Sequence, residues 1–247
     1  MTSRPALVAV YRRRNWATMA GLVQEARAMD WGIGLWALDE LAPELSEVTL
    51  GVGAGRKFPL INALLEQLTG STADLVVADD DVVLTRGRLT DLLAVMHAGD
   101  LGICQPAHAA SSHVSHGITR ARRTTRARWT TYVEIGPIFA VSSAWRSRVT
   151  PFPEEFGMGW GIELLWYDLQ AQGCRLGVVD DVQVRHLQPP ALEYDAHDES
   201  ERMLAMVRER GGRALGDLQR THARWWKGQR SPRWLSTPAA VKPQPRS

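Results

Sequence analysis

Three aspartates in a row, Asp79-Asp80-Asp81, separate the apolar run Leu75-Val76-Val77-Ala78 from a second one, Val82-Val83-Leu84. Adjacent carboxylates repel one another, and burial raises the cost of charging them, so a chain that draws them towards its core needs something positive there. A divalent cation with a phosphorylated ligand meets that need at the C-terminal end of a parallel strand, where open α/β sheets bind ligands. Side chains alternate along an extended chain, so Asp79 and Asp81 share one side and Asp80 points elsewhere. Taken alone, the triplet reads equally well as a solvated turn that closes a strand.

The second half of the chain supplies partners. Gly159-Trp160-Gly161-Ile162-Glu163 joins a glycine-punctuated loop to a helix, with Glu163 in its first turn. A carboxylate is electrostatically comfortable at a helix N-terminus, which is reason enough for an acid there. The functional reading makes Glu163 a general base and Trp160 a flat apolar platform for a sugar ring. His186 ends a short strand; a lone histidine is usually structural, but imidazole added to two carboxylates suits manganese or a similar ion. Glu134, ahead of Ile135-Gly136-Pro137, is either an acceptor-binding acid or a strand-end ion-pair partner.

These residues need a scaffold. Leu7–Tyr11 reads as a buried strand, with Asn15 as N-cap of a helix running to about Met29. Ile33–Ala37 reads as a second strand. A loop containing Gly51, Gly53 and Gly55 then leads to a helix over Phe58–Leu68 and the strand Leu75–Ala78. Leu89–Met96 is helical in pattern and Leu101–Cys104 extended. Residues 105–128 are polar and basic without a clear period, which predicts a long mobile loop, whose basic part 116–128 orders over a diphosphate, binds an anionic acceptor, or is simply solvated. Beyond it the pattern predicts a strand pair over Tyr132–Val141, a helix from about Ile162 to Gln172, and strands at Leu176–Val179 and Val182–Arg185. A charged helix follows over Asp195–Arg210, and the proline-bearing tail 231–247 is expected to be disordered. Alternating strands and helices in the first half predict a doubly wound sheet.

Composition narrows the classes. The 247 residues are 45% hydrophobic, enough for one sizeable α/β core and too few for two. A formal net charge of +2 gives no reason to expect nucleic acid as a partner. Cys104 and Cys174 lie far apart in apolar contexts, as buried thiols of a reducing compartment do. The apolar run at residues 6–11 is too short for a signal peptide or a membrane span, which places the expectation in the cytoplasm.

The order of these features resembles a glycosyltransferase of the GT-A fold, particularly the beta-1,4-galactosyltransferase family. That family's aromatic–Arg–x–Arg segment corresponds to Tyr11-Arg12-Arg13-Arg14, and its basic residue ahead of a Leu-Leu-Asn helix to Lys57 with Leu60-Ile61-Asn62. Its Asp-x-Asp motif corresponds to Asp79-Asp80-Asp81, its Gly-Trp-Gly-x-Glu motif to Gly159–Glu163, and its Arg-His metal ligand to Arg185-His186. Residues 102–190 also resemble a largely plant family of unknown, glycosyltransferase-like function. The shared residues include Gln105-Pro106-Ala107, His116 with Ile118-Thr119-Arg120, Val133-Glu134, Ala144-Trp145, Gly177-Val178-Val179-Asp180 and His186. Two departures stand out: Leu164 occupies the place of a second acid that serves the galactosyltransferases as base, so that either Glu163 is itself the base or the stereochemical outcome differs, and Gln183, whose amide oxygen is free to coordinate or not, occupies that of a methionine metal ligand.

The resemblance implies a single GT-A (nucleotide-diphospho-sugar transferase) domain over 1–230, with a mixed, mostly parallel central sheet flanked by helices. Its nucleotide-binding half spans about 1–104 and its acceptor half about 105–230. It implies a metal-dependent transfer of sugar from a nucleotide-diphosphate donor to an acceptor hydroxyl, inverting, with Glu163 as base. Tyr11, Arg12, Arg14, Lys57, Asn62, Asp79 and Asp80 would hold the donor, Trp160 and Glu134 the acceptor, and Asp79, Asp81 and His186 a Mn2+ or Mg2+ ion. Two other readings stand beside it: nucleotidyl transfer on the same fold, and a catalytically silent sugar- or nucleotide-binding module. An RNA-binding role for the arginine segment with Trp225-Trp226 is disfavoured by the near-neutral charge.

Overall fold

A computed structural model describes residues 4–68, 73–188 and 197–236. Six apolar residues form the first strand, β1 (Ala6–Tyr11), and all six are buried, as a strand covered on both faces must be. Its side chains divide by alternation. Leu7, Ala9 and Tyr11 join one core cluster with the inner faces of α1 (Trp16–Ala28) and, later in the chain, α3 (Leu89–Ala98). Ala6, Val8 and Val10 join a second cluster with α2 (Lys57–Gln67) and α5 (Ile162–Leu169).

Between these helices run β2 (Gly32–Ala37), β3 (Thr49–Val52), β4 (Leu75–Ala78) and β5 (Val82–Arg86). The order β4-β1-β2-β3 is parallel throughout, which puts the C-terminal ends of β1 and β4 side by side. The second half adds β6 (Ile103–His108), β7 (Thr125–Thr130), β8 (Ile138–Val141), α4 (Ser143–Val149), β9 (Leu176–His186), α6 (His197–Glu209) and β10 (Thr221–Trp226). One mixed sheet results, ordered β10-β7-β9-β6-β8-β4-β1-β2-β3, with β6 parallel to β9, β8 antiparallel to both its neighbours, and β5 paired to β9 off the main path.

Several expectations are corrected. Residues 105–128 are not one long mobile loop: β6, a 3-10 turn at Gly117–Thr119 and the start of β7 take up nearly half of the segment and anchor the rest. The physical reason is a buried clamp. Arg128, 2% exposed at its side chain, forms two 2.9 Å hydrogen bonds to the wholly buried Asp180. Asp180 also accepts from the Arg122 backbone N–H and the Thr125 hydroxyl, while Arg128 donates to the Ile118 and Arg120 carbonyls. The Arg128 charge, which reads as solvated, is therefore satisfied inside the sheet.

Within Tyr132–Val141 only Ile138–Val141 is a strand, since Pro137 has no N–H to extend the ladder towards Tyr132. The two strands expected over Leu176–Arg185 are one, bent where its register on β6 shifts after Pro106. Asn15 makes no N-cap hydrogen bond. Gly51 lies in β3 rather than in a loop. Of the expected tail, Arg233–Ser236 forms a 3-10 turn, and Trp234 is buried against Trp225 with its indole N–H on the Gly99 carbonyl. Residues 237–247 lie outside the described residues, as do 195–196 of the charged helix.

Cys104 and Cys174 are buried and free; burial raises both thiols, Cys174 to about 12, so both are chemically quiet. Among the described residues no helix is long and apolar enough to cross a membrane.

Candidate active site

A cleft of about 310 Å³ opens where β1 and β4 end, and Arg12, Arg14, Lys57, Asp79, Asp80, Asp81, Glu134, Trp160, Glu163 and His186 all line it. The sheet explains the long-range meetings. β5 turns back from the aspartates and pairs with β9 so that Val82 faces His186, which sets Asp81 beside that histidine across 105 residues. The Leu187 N–H donates to the Asp81 carbonyl, holding the turn closed.

The three aspartates have separate partners. Asp79 takes the buried Lys57 ammonium at 2.5 Å, and the same ammonium donates to the Ile135 carbonyl. Its other carboxylate oxygen lies against Gly136, where an added Cβ would come within 2.5 Å and push the carboxylate aside. Asp80 accepts the Arg12 backbone N–H at 2.7 Å and the Asn15 side-chain amide at 3.0 Å, tying the β1–α1 turn to the triplet. Burial raises the Asp80 carboxyl above its ordinary range; these two hydrogen bonds oppose the rise and the flanking aspartates add to it.

Asp81 pairs with His186 Nε2 at 3.0 Å. Burial pulls the His186 imidazole down, but the Asp81 hydrogen bond and the charges of Asp79, Asp81 and Glu134 outweigh it and hold it above its usual value. One ligand atom from each of Asp79, Asp81 and His186 lies within 4.8 Å of the others. Two carboxylate oxygens and an imidazole so placed offer a divalent cation three ligands, and binding would displace the histidine's extra proton.

Glu163 faces the same cleft from the first turn of α5. The turn before it needs its glycines: Gly159 and Gly161 both adopt left-handed φ, +108° and +106°, and a Cβ at Gly159 would sit 2.2 Å from the Phe58 ring. The Gly161 N–H donates to the Glu163 carboxylate at 3.0 Å. Burial nevertheless dominates and pushes Glu163 up to about 7, opposed by its own and the Gly161 N–H and by Lys57, and reinforced by Glu134. A carboxyl poised near neutrality in a cleft is suited to proton transfer.

Glu134 is fixed at both ends: its N–H donates to the Gln105 side chain, and its carboxylate pairs with the buried His108 at 3.1 Å. It therefore faces the cleft while also serving as a hydrogen-bond partner inside the fold.

Two expected donor residues are placed elsewhere. Tyr11 is fully buried with its hydroxyl on Thr49 and the Ala42 N–H. Asn62 spends both ends of its amide on the Phe152 backbone, clasping α2 to the loop beyond α4. Conversely, sequence reasoning passed over Tyr132. Its buried phenol makes no hydrogen bond of ordinary geometry and lies within the electrostatic reach of Glu163 and Glu134. Asn15 and His116 also line the cleft; a polar residue directly after Tyr11-Arg12-Arg13-Arg14 was the available signal for Asn15, and none marked Tyr132.

No protein-family model matches the chain, and no curated protein does. Solved structures do match. GalNAc-T7 with UDP, GalNAc and Mn2+ aligns at TM-score 0.58 and 12% identity, covering 83% of this chain and 48% of that one. Residues 1–349 of S. aureus TarS with UDP-GlcNAc align at 0.52 and 11%, covering 83% and 66%. Full TarS aligns at 0.51 and 12%, covering 83% and 39%. The fold is GT-A. This chain spans between about two fifths and two thirds of the length of those proteins, and at such identity the likeness speaks for the fold alone.

Proposed function

We propose that this protein is a metal-dependent glycosyltransferase that moves a sugar from a nucleotide-diphosphate donor to an acceptor hydroxyl with inversion. The observation that carries the reading is one cleft, on a GT-A sheet, that holds both the Asp79–Asp81–His186 donor set and a buried carboxyl with pKa about 7. The ordered motifs shared with the beta-1,4-galactosyltransferases support the same assignment, and the UDP named with the solved neighbours makes a uridine nucleotide the first donor to test.

Arg12 and Arg14 line the β1 end of the cleft, where a nucleotide diphosphate would lie, and Trp160 offers the acceptor ring a flat face. A divalent cation on Asp79, Asp81 and His186 would supply charge neutralisation for the departing diphosphate. Glu163 takes the proton from the acceptor hydroxyl as its oxygen attacks the anomeric carbon, and the bond to the diphosphate oxygen breaks on the opposite face. Leu164, which stands where the galactosyltransferases carry a second acid, is 1% exposed and belongs to the α5–α6 core, which supports Glu163 itself as the base.

A thermal-shift panel of UDP-, GDP- and dTDP-sugars with and without Mn2+ tests the donor site. Stabilisation by at least one nucleotide that grows with metal is expected; no shift in either condition overturns the reading. Product analysis decides the reaction, since glycosyl transfer releases nucleoside diphosphate, whereas nucleotidyl transfer leaves the donor's nucleoside monophosphate on the product and releases a sugar phosphate.

A further inference from the structure

A second cavity of about 270 Å³ lies across His116 from the catalytic cleft, lined by Arg122, Arg128, Arg224, Gln219, Thr221 and the turn at Gly216, with no carboxylate in its wall. We propose that this cavity binds an anionic group of the acceptor, a phosphate in the first instance, so that the enzyme glycosylates a hydroxyl on a phosphorylated acceptor. The proposal rests on the glycosyltransferase reading above and names the substrate class of its unassigned half.

The charge arrangement is the first argument. Arg224 on β10 stands directly opposite Arg128 on β7 in the antiparallel register, a like-charge pair that destabilises a sheet unless it is neutralised. Asp180 neutralises Arg128 and is then saturated, since its two oxygens accept from the Arg128 guanidinium, the Arg122 backbone and Thr125. Nothing acidic in the cavity wall answers the side chains of Arg122 and Arg224, which are both exposed. Two guanidinium groups in one cavity wall with an amide and a hydroxyl match the acceptor-rich surface of a phosphate, which takes forked hydrogen bonds. The chain as a whole carries only +2, so this concentration is local.

Continuity is the second argument. Gln219, in the cavity wall, contacts His116 Nδ1 at 3.0 Å, and the His116 ring lines the catalytic cleft. Gly216 lines the cavity while its neighbour Leu215 lines the cleft. An acceptor lying across Leu215 and His116 would place its phosphate between Arg122 and Arg224 and its hydroxyl towards Glu163.

The test uses the full chain with saturating UDP and Mg2+, titrated with glucose 1-phosphate and, separately, with methyl glucoside, and followed by amide chemical shifts. The phosphate ester is expected to bind with shifts at Gln219 and Thr221, and the neutral glycoside is not. Arg122→Gln/Arg224→Gln keeps the aliphatic stems of two exposed residues, so the fold should hold; it is expected to weaken the phosphate ester roughly tenfold or more with UDP affinity unchanged. Equal affinity in wild type and double variant, or loss of the ester's binding on adding UDP, overturns the proposal. If UDP itself does not bind, the donor reading fails, and inorganic phosphate titrated into the two nucleotide-free proteins decides the cavity by the same comparison.

Discussion

The central sheet carries two aspartate clusters, 79–81 and 180–181, and they are compensated in opposite ways. Asp180 has its countercharge built in: a buried guanidinium, a hydroxyl and a backbone N–H use up its acceptor positions. Asp79, Asp80 and Asp81 meet Lys57, His186 and two neutral donors among the described residues, and they line an open cleft together with Arg12 and Arg14. Both clusters follow a run of buried apolar strand residues. What separates scaffold from site is whether the fold supplies the full opposite charge or leaves part of it for a ligand.

The largest expected effect breaks the scaffold cluster. Asp180→Ala strands the Arg128 guanidinium in the sheet with no counter-ion, and losing one partner of a buried pair costs about 3–5 kcal/mol. Urea unfolding should show that loss and, with it, release of residues 117–128, read as amide exchange. A cost below about 1 kcal/mol would show that Asp180 does not clamp the segment.

Glu163→Gln tests the cleft in the opposite sense. Turnover should fall by about 10²–10⁴ because the general base is gone. Stability should change with pH. The carboxyl's folded pKa of about 7 lies above its ordinary 4.5, so the folded state holds the proton that the unfolded chain releases, and stability is lost as pH rises through that window. The shift corresponds to about 3 kcal/mol at most. The glutamine variant should therefore match wild type near pH 4.5 and exceed it at pH 8; equal unfolding curves at pH 8 would place Glu163 in a wetter setting than the cleft provides.

Asp81→Ala and His186→Ala should remove the metal-dependent part of any nucleotide stabilisation. That part is about 2.7 kcal/mol when the ion is present at a hundredfold its Kd. Relief of like-charge crowding should leave the metal-free protein near its original stability in the Asp81 variant. Thermal shifts with and without Mn2+ check both statements, and an undiminished Mn2+ increment in either variant removes that residue from the donor set.

The contrast also explains what could be read from the chain. β1, β2 and β4 and helices α1, α2, α3 and α5 announce themselves because continuous or helically spaced apolar residues can only be buried. The cleft residues were legible because glycines, carboxylates and a histidine stood in an order that resembles a known family. Residues 105–128 misled because Arg128 and Thr125 look solvated until Asp180, about fifty positions away, is brought beside them. Asn62 misled for a similar reason, since its partner is the backbone of Phe152. Trp234 joins the core only because β10 delivers Trp225 to meet it. In each case a polar or isolated side chain takes its role from a partner that local pattern does not identify.

Asp181→Ala is the smallest expected effect and the sharpest form of the comparison, because Asp180 and Asp181 are adjacent and identical in type. Asp181 pairs with Arg126 at 2.8 Å, but the two side chains keep 23% and 37% of their exposure. Water screens the pair, so its loss should cost under about 1 kcal/mol. The Arg126 guanidinium would keep its place over the Trp225 ring, 4.7 Å from the centroid, and continue to cover that indole. If urea unfolding gave Asp181→Ala the same penalty as Asp180→Ala, burial could not be what distinguishes the two aspartates, and the rule separating the scaffold cluster from the cleft would fail with it.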